Sequence, residues 1–120
     1  MPTSIDGSIL DTIKPLLNVD VSDTAFDLDI IIAINSALNI LKQLGVGPKE
    51  GFRITGSTET WGGFLGTATN LEVVKDYVYM KAKLIFDPPT NATVLNSYKE
   101  LIHEFEWRAN VEAEKPGSEE

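Results

Sequence analysis

Apolar positions recur with a helical period in four separate stretches of this chain. The first opens at Ser8, which forms an S-x-x-D capping signature with Asp11 and leads Ile9, Leu10, Ile13, Leu16 and Leu17 along one side. Pro15 lies inside it. Its missing N–H and its ring clash cost about 3 kcal/mol, so a kink or break is expected near Lys14. A second capping pair, Thr24 and Asp27, opens a helix that runs to about Leu44 and stops at Gly45, a natural C′ residue. Ile30, Ile34, Ala37, Leu38, Leu41 and Leu44 keep helical spacing there, and Ile31, Ile32 and Ile40 widen the stripe. The β-branched run DIIIAI also suits a strand, but a helical period sustained over about 20 residues decides for helix. More than half of this helix's circumference is apolar, which predicts the central helix of the fold.

Residues 45 to 69, GVGPKEGFRITGSTETWGGFLGTAT, form a long connection of a kind that is usually functional or partly ordered. An extended piece is expected around Phe52 to Thr55 and one helical turn near Thr60 to Leu65. Thr69 and Glu72 cap a third helix that ends before Asp87-Pro88-Pro89, and Thr90 or Asn91 caps a fourth that runs to about Val111. The predicted fold is all-α: a small bundle of four main helices, a long loop between the second and third, and disordered termini. Residues 1–7 are expected to be a flexible arm, 8–111 the helical domain and 112–120 an acidic disordered tail.

A helix turns about 100° per residue, so each side chain takes a place on a wheel. On the third helix Leu71, Val74, Tyr77, Val78 and Ile85 line the apolar side, and Glu72, Lys75, Asp76 and Lys83 the other. Tyr79 falls in the middle of the charged side. Lys81 falls in the apolar one, where it is expected to snorkel or to pair with a carboxylate such as Asp27, Asp29 or Glu104. On the fourth helix Val94, Tyr98, Leu101, Ile102, Phe105 and Ala109 make the core stripe. Trp107 points nearly opposite, beside Asn96, Glu100, His103 and Asn110, and outward tryptophans are enriched at interface hot spots. Packing beneath the long loop is the competing account of Trp107. Trp61 and Phe64, set among glycines in the long loop, are open to two readings: anchors in the chain's own core, or contacts for another molecule.

Composition then narrows the function. At 120 residues the chain makes one domain with a modest core, and 42% hydrophobic content fits a globular protein. No long apolar run or signal leader is evident, so a soluble, unexported protein is expected, with no membrane. The absence of cysteine excludes disulfides and thiolate metal sites. A net charge of −8 argues against gripping nucleic acid through a basic face, though not against DNA passing nearby. His103 is the one histidine, so no histidine-based metal cluster assembles at motif spacing. Glu100 and Glu104 pair on a wet helix face, where carboxylates are solvated charge. GVGPKEG lacks the GK[ST] ending of a phosphate loop and follows a helix rather than a strand, and no G-x-S-x-G elbow occurs. The reading is of a protein that is not an enzyme and needs no cofactor.

Taken in order, SILDTIKPLLNV, AFDLDIIIAINSALNILKQLGVGP, TWGGFL, LEVVKDYVYMKAKLIFDPP and EFEWRAN resemble the head–tail connector (adaptor) proteins of long-tailed bacteriophages over roughly Ser8 to Val111. Pro15 inside the first helix is a departure from that pattern. The resemblance implies a small helical protein that assembles as a homo-oligomeric ring, commonly dodecameric, beneath the portal protein in the neck of the virion. It implies a DNA channel through which DNA passes without specific binding, docking of a head-closure or tail-completion protein, and no catalytic residues. On this reading Trp61, Phe64, Tyr79, Lys83, Trp107 and Arg108 are the candidates for subunit or partner contact. The rival is a small helical regulatory or DNA-packaging subunit acting through protein–protein contacts, and none of the four helices has the basic character of a DNA-recognition helix.

Overall fold

Five helices make up the computed structural model, which describes residues 6–66 and 71–114, with side chains as far as Ala109. They are α1 (Ile9–Leu16), α2 (Asp27–Gln43), α3 (Trp61–Leu65), α4 (Leu71–Phe86) and α5 (Ala92–Glu114). Four are the main helices of the bundle, and α3 is the single turn expected in the long loop. The described residues contain no strand, only an isolated antiparallel bridge between Ser8 and Thr60.

Local chemistry sets most helix ends. The Ser8 side chain accepts the Asp11 N–H, as its spacing predicts. Pro15 sits in the last turn of α1, and the break expected near Lys14 falls at Leu16 instead. There Asn18 takes a positive φ of 64°, its N–H reaches the Pro15 carbonyl, and the Val19 N–H reaches that of Lys14. This six-to-one closure stops a helix cleanly. The same device ends α2: Gly45 has φ 88°, and the Val46 N–H bonds to the Leu41 carbonyl at 2.8 Å. Asn91 caps α5 by accepting the Thr93 and Val94 N–H groups.

The beginning of α2 departs from expectation. Thr24 does not cap it through its side chain; the helix starts at Asp27 behind Phe26, which makes no side-chain cap. Asp27 is engaged elsewhere. Its Oδ1 lies 2.7 Å from the Nζ of Lys14, and that ion pair is the oxygen's partner. Lys14 is 1% exposed and also donates to the Val21 carbonyl at 3.0 Å, so its ammonium ties α1, the connection after it and the start of α2 together. Thr69, the cap expected for α4, lies outside the described residues.

The core forms where α2 packs against α4 and α1. Ile30, Ala33, Ile34, Ala37, Leu38 and Leu41 of α2 are buried at steps of three and four, facing Val74, Tyr77, Val78 and Ala82 of α4. Ile32, on the far side of α2, is 55% exposed. The long loop is fastened over this core. Asn35 of α2 grips the Ile54 backbone from both sides, donating to its carbonyl at 3.0 Å and accepting its N–H at 2.7 Å. Ile54 is buried without belonging to a strand. At the loop's end Trp61 is fully buried: its backbone N–H donates to Gly7 and its indole N–H to the Thr12 hydroxyl, and Ile9 N–H donates to the Glu59 carbonyl. Phe64 is buried beside Phe52 and covers Gly47, whose φ of 89° and contact with that ring exclude any larger residue.

Two boundaries shift. Gly7, expected in the loose arm, is tied to Trp61, and α5 continues to Glu114, three residues into the expected tail. Residues 1–5 and 115–120 lie outside the described residues.

Burial of Trp61 carries a direct expectation. Trp61→Ala should lower the unfolding free energy by about 3–5 kcal/mol, the scale for truncating a buried aromatic, as read from urea unfolding. A loss below about 1 kcal/mol would mean that the indole does not anchor the loop.

Candidate interaction surface

Of the two readings of Trp61 and Phe64, the structure has core anchoring: both side chains are enclosed within their own chain. The bulky loop residues fasten flexible backbone to the bundle and offer no surface to another molecule. Tyr79 and Lys83 are also partly covered. The Tyr79 hydroxyl lies 3.0 Å from that of Tyr98 on α5, with the rings edge to face at 6.1 Å. Lys83 Nζ donates to the Asp87 carbonyl at 3.2 Å and lies 3.5 Å from its carboxylate, closing the end of α4. Trp107 and Arg108 differ from these four. Trp107 is 62% exposed, and the Arg108 side chain 72%, with the Glu104 carboxylate 2.6 Å away.

A narrow seam joins α5 to α4. Phe105 stacks on Tyr77 with ring centroids 4.5 Å apart, and the Tyr77 hydroxyl donates to Glu106 at 2.7 Å. Lys81 pairs with that same Glu106 at 3.8 Å, not with Asp27, Asp29 or Glu104. Ile102 is the buried residue of the expected α5 stripe, while Val94 and Leu101 stand 42% and 52% exposed. The stripe is wider than the seam because only α4 lies against it closely.

Burial and the bond to Glu106 push the Tyr77 phenol far above its ordinary range. Burial and then the bond to Tyr98 push Tyr79 up to about 12. Neutral hydroxyls thus hold the seam together.

Two exposed apolar areas stand out among the described residues. The first is a groove of about 250 Å³ along the α4–α5 seam, lined by Val73, Met80, Leu101 and Phe105 with Asp76, Glu104 and Arg108 at its rim. The second is a depression of about 530 Å³ between the start of α2 and the end of α4. An edge-to-face pair, Phe26 and Phe86, lies 5.7 Å apart in it, flanked by Ile32, Ile85, Asp29 and Asp87. Sequence reasoning did not single out this second area. Its signal was the run Ile30–Ile32: three consecutive helical positions spread over about 200° and cannot all face one core.

No group of three His, Cys, Asp or Glu among the described residues is arranged to hold a metal, and no helix among them is long and apolar enough to cross a membrane. A family model described as phage connector protein matches residues 9–116. No curated protein and no solved structure matches the chain.

The raised phenols set the direction of an alkaline response. Between the ordinary value of 10 and about 12, an unfolded chain releases the Tyr79 proton while the folded one keeps it. Stability is therefore complete below pH 10 and falls as pH climbs above it. Absorbance titration of phenolate alongside urea melts at rising pH should show this loss, and Tyr79→Phe should reduce it.

Proposed function

The chain belongs to the phage connector protein family, and from that membership we propose that it forms a ring beneath the portal at the head–tail junction of the virion. Members of a connector family are structural proteins rather than enzymes, which fits a chain built from packing contacts. In this reading the ring continues the DNA channel and offers a docking surface to a head-closure or tail-completion protein. Assembly takes place in the host cytoplasm, and the finished ring stays in the virion neck.

The observation that carries the ring is the presence of two unlike exposed apolar areas on one subunit, the α4–α5 groove and the α2–α4 depression. A subunit that repeats around an axis needs two different faces that meet head to tail, whereas a twofold dimer needs one self-complementary face. Exposed patches of this kind mark interaction sites in soluble proteins. Trp107 and Arg108 are the strongest contact candidates, because Trp61 and Phe64 are consumed by the core and Tyr79 and Lys83 by contacts within the chain. The net charge of −8 supports a channel role: an acidic wall repels phosphate and lets DNA slide.

Sedimentation velocity across a wide concentration range, alone and with the cognate portal, tests this. A discrete closed oligomer that co-sediments with the portal is expected. A chain that stays monomeric in both conditions overturns the proposal. The same protein should show no salt-sensitive, submicromolar binding to duplex DNA near physiological salt, and tight binding that weakens steeply with salt would rule out a repelling channel wall.

A further inference from the structure

We infer that Trp107 and Arg108 of one subunit seat in the Phe26–Ile85 depression of the next copy of this chain, making the head-to-tail contact. The inference rests on the ring reading and gives it residues.

The two features complement each other in shape and charge. Trp107 is a large exposed indole and Arg108 an exposed cation beside it. The depression has an aromatic floor, Phe26 and Phe86, with isoleucine walls, Ile32 and Ile85, and carboxylates at its edge, Asp29 and Asp87. An apolar knob with a positive neighbour thus meets an apolar socket with a negative rim. Desolvated aromatic pockets of this composition are where tryptophan and arginine act as interface anchors. Arg108–Glu104 is an exposed pair, which contributes little and exchanges readily, and Asp87 stays exposed beside the partly covered Lys83.

The features also sit apart on one molecule. Glu106, the neighbour of Trp107, bonds to Tyr77 on α4, and the socket residue Phe86 lies nine positions further along that helix. At 1.5 Å per residue this separates knob from socket by about 13 Å along the axis. A subunit therefore presents the knob beside the middle of α4 and the socket at its C-terminal end. Contacts so arranged run from copy to copy in one direction.

The chain has no cysteine, so paired cysteines report the contact without background. His103→Cys lies one turn from Trp107 on the same outward face, and Pro88→Cys lies beside the socket; both positions are exposed. With a short bis-maleimide, the double variant should give a ladder of covalent multimers that ends at the ring's subunit number. Mixing the two single variants should give dimers of one of each. Trp107→Ala in the double variant should weaken association by about thirtyfold or more, the lower end of the hot-spot range, with unchanged melting. Ile85→Glu, at a 53% exposed position, should do the same from the socket side. If the unlabelled protein assembles yet no ladder forms, or if both substitutions leave assembly intact, this contact is wrong while the ring survives. A ladder that never closes supports the contact and removes the ring. A chain that stays monomeric in every condition removes both.

Discussion

Trp61 joins segments that lie far apart in the sequence. Its indole N–H reaches Thr12 on α1, its backbone N–H reaches Gly7, and the neighbouring Glu59 carbonyl receives Ile9. Each bond contributes only about 1 kcal/mol net, but together with a fully buried indole they fix where the long loop ends. From that point Thr60 can cap α3, Phe64 can lean on Phe52 and Gly47, and the loop's return can be held by Asn35. Without this anchor the connection between α2 and α4 keeps its hold at Asn35, Ile54 and Phe64 but loses its indole tie to α1. Gly66 ends α3 with a φ of 63°, while the aromatics supply the holding contacts.

Because the loop's aromatics face inward, the outward apolar surface comes from helices. The seam between α4 and α5 is short of partners: Tyr77, Phe105 and Ile102 are covered, while Val73, Val94 and Leu101 are not. A solitary domain would gain by covering them, since each of these half-exposed side chains forgoes roughly half of the about 1.5–3 kcal/mol that full burial supplies. A subunit that meets neighbours keeps such surface open until assembly. The polar elements of the seam, the Tyr77–Glu106–Lys81 cluster and the Tyr79–Tyr98 pair, hold α5 in one orientation without closing off its sides.

Much of this architecture was legible in the amino-acid order. The Ser8 and Asn91 caps, the stop at Gly45 and the turn after Thr60 follow from local backbone chemistry, which needs no knowledge of neighbours. The buried steps of α2 follow from its period. What failed was decided at a distance. Thr24 looked like a cap because Asp27 stood three residues on, yet Asp27 is taken by Lys14 of another helix. Lys81 does find a carboxylate, but which one, Glu106, was likewise set by the packing of another helix. A wheel identifies the apolar face of α5 but not how much of it another helix covers, so Val94 and Leu101 were placed in the core and stand exposed. Trp61 and Phe64 lie in a stretch with no period at all, and their direction could be learned only from the fold.

The Lys14 amine has a consequence for watching this protein at work. Its side chain is 2% accessible, against 16–23% for Lys75, Lys81 and Lys83. Amine-reactive labels will modify the more accessible lysines first, and Lys14 only when α1 swings away from the start of α2. The rate at which its mass tag accumulates is therefore a clock for local opening in that corner of the bundle, legible without any substitution. Slowing of that clock on assembly would report, from inside a subunit, that the start of α2 beside the depression had been clamped from outside.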